Sequence, residues 1–175
     1  MSIVLLLGGA RSGKSALAVR LAAEGSAPVV FVATAEALDD EMRERIAAHR
    51  AERPGEWQTV EARTDLAAAL RAIDKEATVV VDCLSLWIAN LIESGIAIEE
   101  QCNAAAGVAA VRPGRTIVVS NEVGLGLVPA NALGRRYRDL LGRTNAVWAA
   151  NAERAFLVLA GRALPLGSTE GLLDG

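Results

Sequence analysis

Eight consecutive residues, Gly8-Gly9-Ala10-Arg11-Ser12-Gly13-Lys14-Ser15, match the spacing G-x-x-x-x-G-K-[ST]. The chemistry that suits this spacing is the holding of a nucleoside triphosphate. Glycines let the backbone turn through conformations closed to residues with a Cβ, so its N–H groups can meet phosphate oxygens at the positive end of a following helix. Lys14 would reach the β- and γ-phosphates, and the Ser15 hydroxyl would ligate the magnesium that bridges them. A second segment, Thr78-Val79-Val80-Val81-Asp82, is an apolar run ending in an acid. Asp82 is expected to hold the same magnesium, directly or through water, from beside the strand that carries the phosphate loop.

His49 is the only histidine in the chain. On a helical pattern beginning near Asp39 and stopping at Arg53-Pro54-Gly55, Met42, Ile46, His49 and Arg53 fall on one face. Two readings stand at this point. His49 either caps a core stripe near the helix end, or acts as a nucleophile or acid/base group beside a phosphate, with Arg50 and Arg53 neutralising charge. Thr34 follows an apolar run at a strand end, where ligands of open α/β sheets gather. Glu61 either hydrogen-bonds a base or faces solvent. Glu122, after the run Thr116 to Ser120, is either a catalytic carboxylate or a hydrogen-bond anchor of its loop. The arginines of the segment after Asn131, Arg138 and Arg143 among them, either grip phosphates or form a solvated or subunit-facing surface.

These residues need a scaffold. Runs at Ile3 to Leu7, Val29 to Ala33, Thr78 to Asp82, Thr116 to Ser120 and Ala155 to Ala160 are continuously apolar, as strands covered on both faces are. Helical segments separate them, at 64–75, 84–92, 97–111 and from Asn131 to about Glu153, and Trp57 to Glu61 alternates like a short strand. The expectation is an α/β domain, a parallel sheet with helices on both faces. The segment 84–92 is too apolar for a surface helix and belongs in the core or at a subunit contact.

The chain's 175 residues suit a single nucleotide-binding domain over 1–175, with the tail after about 167 loosely ordered. A net charge of -3 gives no electrostatic footprint for nucleic acid. Cys83 and Cys102 make neither a disulfide framework nor a metal spacing, and read as buried or semi-buried thiols in a reducing compartment. The N-terminal apolar run is too short for a signal peptide or a membrane span, so the expected location is cytoplasmic.

Several stretches taken together are similar to one family. They are the phosphate loop, Ala33-Thr34-Ala35 before Asp39-Asp40-Glu41-Met42, Arg45-Ile46 with His49, and Val81-Asp82-Cys83-Leu84. Asn121-Glu122-Val123-Gly124 with Pro129, and Arg138-Asp139 with Gly142-Arg143-Thr144-Asn145, complete the set. It resembles the bifunctional adenosylcobinamide kinase/adenosylcobinamide-phosphate guanylyltransferase family of cobalamin biosynthesis, over nearly the whole chain. The resemblance implies two reactions. ATP or GTP phosphorylates the aminopropanol hydroxyl of adenosylcobinamide; GMP from GTP then passes to that phosphate through a GMP-histidine intermediate that maps to His49. Family nucleotide contacts map to Thr34, with its neighbours Ala33 and Ala35, and to Glu61. The resemblance further implies a RecA-like P-loop fold with an antiparallel strand near the C-terminus, magnesium, and a homotrimer with 84–92 and 121–129 as candidate contacts. The chain departs from its relatives between Glu93 and Arg112, where it is shorter and richer in alanine. Two other functions fit the residues without the resemblance: a simple small-molecule kinase in which His49 is structural, and a nucleotide-binding regulatory protein whose 121–129 loop docks a partner.

Overall fold

In strand β1 (Ile3–Gly8), Ile3, Leu5 and Leu7 enter one buried cluster while Val4 and Leu6 enter another. That period-two division is what a strand covered on both faces requires. It repeats in β2 (Val29–Ala33), where Val30 and Val32 oppose Phe31, and in β4 (Thr78–Asp82), where Val79 and Val81 oppose Val80. The computed structural model describes residues 3–36, 40–51 and 53–169, without the side chains at 41, 42, 45, 46, 48 and 49.

The remaining strands are β3 (Gln58–Glu61), β5 (Thr116–Asn121), β6 (Arg154–Leu159) and β7 (Arg162–Leu166). The helices are α1 (Lys14–Ala23), α2 (Asp40–Ala51), α3 (Leu66–Ala72), α4 (Leu84–Glu93), α5 (Ile98–Ala110) and α6 (Ala132–Asn151). The strands form one sheet in the order β3-β2-β4-β5-β1-β6-β7, parallel throughout except for the antiparallel β7. The α/β expectation and the antiparallel C-terminal strand both hold. One expectation does not: β5 stands between β4 and β1, so Asp82 is not beside the strand that carries the phosphate loop. Sequence order is no guide to order in the sheet, because a crossover connection can carry the chain past a neighbouring position.

Residues of α3, α4, α5 and α6 share one buried cluster, and α1 supplies Ala18 and Ala22 to the other. The apolar α4 belongs to the core, since Leu84, Trp87, Ile88 and Leu91 are fully buried. In the alanine-rich α5, Ile98, Cys102, Ala105, Ala106 and Ala109 fall on one buried face, and their small side chains let the helix pack closely. Just after α5, the buried Arg112 guanidinium donates to the carbonyls of Leu70 (2.8 Å), Ile73 (3.1 Å), Asp74 (2.7 Å) and Ala77 (3.2 Å). It thereby caps carbonyls that the end of α3 leaves without helical partners. Among the described residues no helix is long and apolar enough to cross a membrane.

Candidate active site

The phosphate loop leaves β1 at Gly8 and enters α1 at Gly13, whose φ of 98° makes a left-handed start to the helix. The hairpin between β6 and β7 lies directly against it. The Gly161 N–H donates to the Ser12 carbonyl at 2.9 Å, and a Cβ on Gly8 would collide with the Val158 carbonyl. Ala160 (φ 50°) and Gly161 (φ 74°) form the two-residue turn of that hairpin, with both residues in the left-handed region that such turns demand. The loop is therefore shaped by a segment nearly the full length of the chain away.

Lys14 is buried, and its Nζ donates to the Gly9 carbonyl at 2.6 Å and to the Ser12 hydroxyl at 3.3 Å. Burial pulls its ammonium below the ordinary lysine range, while the nearby Asp82 carboxylate works in the opposite direction. Ser15, the next residue of α1, is half-buried. Although β5 intervenes, Asp82 is close enough for its charge to act on Lys14.

Register aligns the strand ends: Ala33 pairs with Glu61 on one side and with Asp82 on the other. Thr34 and Cys83, one residue further, clip β2 to β4. The Thr34 hydroxyl donates to the Cys83 carbonyl (2.7 Å), and the Cys83 N–H donates to that hydroxyl (2.8 Å). Asn90 of α4 donates its side-chain N–H groups to the carbonyls of Thr34 (2.8 Å) and Arg63 (3.1 Å). Thr34 is fully buried, so its side chain shapes the floor of the site, while Ala33 and Ala35 are half-buried and Glu61 is exposed. The Cys83 thiol shares a 2.8 Å hydrogen bond with the Ser85 hydroxyl, and burial pushes it up to about 11.

Arg53 carries its guanidinium 3.6 Å above the centre of the Phe31 ring. Burial lowers its pKa, and the Asp82 carboxylate again works against that shift. The Asp82 carboxylate thus acts on both Lys14 and Arg53, and Arg53 lies with Phe31 on the α1 side of the sheet. Arg50 is exposed on α2. His49 lies in α2 by its backbone, and its side chain is outside the described residues, as are Asp39 and the side chain of Met42.

On the other side of the loop, the last residue of β5, Asn121, pairs with Gly8, and the Glu122 N–H donates to the Gly8 carbonyl at 3.0 Å. The Glu122 carboxylate accepts from the Gly124 N–H, which makes it an anchor of its own loop. Asn145 of α6 bridges the Ser120 hydroxyl (2.7 Å) and the Asn121 carbonyl (3.0 Å). Arg138 donates to Asp139 at 2.9 and 3.0 Å, and Arg143 is exposed. Both belong to a helix packed on the opposite face from α1. Sequence reasoning missed Gly161, Phe31 and Asn90. Only Gly161 carries a signal, a Gly-ended turn between two extended apolar runs.

A family model described as cobinamide kinase / cobinamide phosphate guanyltransferase matches residues 4–166. The chain belongs to this family. The bifunctional adenosylcobalamin biosynthesis protein CobP of Pseudomonas aeruginosa is 47% identical over 166 residues, 93% of this chain and 95% of that one. CobU of Escherichia coli, named likewise, is 38% identical over 91% of this chain and 96% of its own. The fold is also that of a prototypical ATPase from a type III secretion system, with a TM-score of 0.50 and 10% identity over 89% of this chain and 51% of that one. The family resemblance and the RecA-like P-loop architecture read from the sequence therefore hold. The enzyme is a cobinamide kinase and cobinamide phosphate guanyltransferase.

Proposed function

We propose that both reactions of this kinase and guanyltransferase use one nucleotide site, the phosphate loop between β1 and α1. The observation that carries the reading is that the Asp82 carboxylate at the end of β4 acts on both Lys14 of the phosphate loop and Arg53, which rests on Phe31 just after the α2 helix that holds His49. In the kinase step, with ATP or GTP as donor, Lys14 and the loop N–H groups stabilise charge on the β- and γ-phosphates while the acceptor hydroxyl attacks the γ-phosphorus. The Ser15 hydroxyl and the Asp82 carboxylate are hard oxygen donors of the kind magnesium takes alongside substrate phosphates, and they would hold it there. When bound, the ion supplies charge neutralisation to the triphosphate.

In the transfer step a neutral imidazole nitrogen of His49 attacks the α-phosphorus of GTP. An N–P bond forms, the bond to the β-phosphate oxygen breaks and pyrophosphate leaves. The phosphate oxygen of the acceptor then attacks that phosphorus and the histidine departs, leaving adenosylcobinamide-GDP. Arg50 and Arg53 spread the charge of the leaving group, and Ala33, Thr34, Ala35 and Glu61 line the guanosine end. The reading also includes a homotrimer in the cytoplasm, checked by sedimentation equilibrium and by cell fractionation.

The test of the histidine is labelling with GTP carrying radioactive α-phosphate. Wild-type protein is expected to retain acid-labile, alkali-stable label, and His49→Ala to retain none while still phosphorylating adenosylcobinamide. Equal labelling of the two proteins would remove His49 from the mechanism.

A further inference from the structure

Between β5 and α6 the chain leaves the sheet over residues 122–131 and displays apolar side chains in the open. Leu125, Leu127 and Val128 are 83%, 96% and 67% exposed, and Leu133 in the first turn of α6 is 63% exposed. Single exposed leucines are ordinary, but a group of them in one short stretch marks a binding surface. The stretch is tied at both ends. Glu122 is joined to Gly8 through its N–H at 3.0 Å and to Gly124 through its carboxylate. At the far end the Arg135 guanidinium donates to the carbonyls of Pro129 (3.0 Å) and Ala130 (2.7 Å), and Asn131 caps α6 by accepting from the Gly134 N–H at 2.6 Å. Anchored in this way, the leucines are held outward.

We propose that Leu125, Leu127, Val128 and Leu133 form the surface on which the corrin ring of the acceptor rests during both reactions. The inference rests on the acceptor being a cobinamide. Its reacting group, a hydroxyl in the first step and a phosphate in the second, must reach the nucleotide in the phosphate loop. The group hangs from a macrocycle far too large to enter that loop, so the ring must settle beside it. The exposed stretch begins where β5 pairs with the first glycine of the loop, Asn121 against Gly8. From Val123 to Leu133 it contains no charged residue. Such a surface suits the broad hydrocarbon faces of a corrin, while the Arg135 guanidinium beside it is engaged by the Pro129 and Ala130 carbonyls.

The test compares wild type with the double variant Leu125→Ser/Leu127→Ser, whose exposed positions tolerate polar side chains. Steady-state kinase assays are expected to show the KM for adenosylcobinamide rising roughly tenfold while the KM for GTP stays put, as loss of two apolar contacts predicts. Equilibrium dialysis against adenosylcobinamide, followed by its visible absorbance, should show correspondingly weaker retention by the variant. Equal retention and equal KM would overturn the proposal. So would a fall in sedimentation mass of the variant, which would assign the patch to a contact between copies of the chain. Wild type that binds adenosylcobinamide without turning it over would count against the family activity alone, since dialysis still reads the patch.

Discussion

At the phosphate loop the backbone does the holding: Gly161 N–H meets the Ser12 carbonyl, Glu122 N–H meets the Gly8 carbonyl, and Lys14 folds onto Gly9. Across the sheet edge, α2 is held differently. Its described side chains at Asp40, Arg43, Glu44, Ala47, Arg50 and Ala51 are exposed, and among its described residues none joins either buried cluster. Its anchorage comes just after it, where Arg53 lies on Phe31. Hydrogen bonds to backbone groups constrain both distance and direction, whereas a stacked cation over a ring fixes distance but leaves orientation freer. The difference matches two tasks. On the proposed mechanism the β- and γ-phosphates need the same geometry in both reactions, while α2 serves the transfer step.

Lys14→Ala is expected to give the largest effect, lowering both activities by roughly 100-fold or more because the developing charge on the triphosphate loses its preorganised donor. A variant that lost only one activity would break the idea that a single loop serves both. Next in size is Gly161→Val. A β-branched residue at φ 74° is strained, and the strain is transmitted to Ser12, so the KM for GTP should rise roughly tenfold in both assays, together with a lower Tm. An unchanged KM beside a lowered Tm would mean that the hairpin stabilises the fold without shaping the loop.

Phe31→Leu addresses the other side of the contrast. Removal of the ring beneath Arg53 should cost about 0.5–1 kcal/mol, a few-fold loss in guanylyl transfer, with the kinase step less affected. Equal loss in both would place Arg53 in the common machinery.

The smallest effect concerns stability. Burial raises the Cys102 thiol to about 11 from an ordinary 9.0, as it does Cys83. A folded-state pKa above the unfolded value contributes stability that is present below pH 9 and disappears as pH climbs toward 11. Wild-type Tm should therefore fall across that window, and Cys102→Ala should fall less steeply. Parallel curves would show that the thiol does not carry the dependence.

Much of the site is legible in the chain because its signals are local. Gly8 to Ser15 declares itself through spacing and through the strand and helix that flank it, and Asp82 through its place at the end of an apolar run. The strands were legible for the same reason, since burial on both faces leaves an unbroken apolar run. Thr34 was correctly placed at a strand end, but its hydroxyl turned out to be occupied by Cys83, a partner 49 positions away. Arg112 caps the end of α3, and nothing in Arg112-Pro113-Gly114 reveals which carbonyls lie opposite.

By itself the sequence determined the phosphate-loop motif, the α/β class and the family, since these depend on residue types at short, fixed separations. Only the tertiary structure decided that β5 stands between the strands of Asp82 and the phosphate loop, that Gly161 buttresses Ser12, and that Leu125 and Leu127 face solvent. Those facts depend on which distant segments pair. Pairing is chosen by the burial and hydrogen bonding of the whole chain at once, which no local stretch encodes.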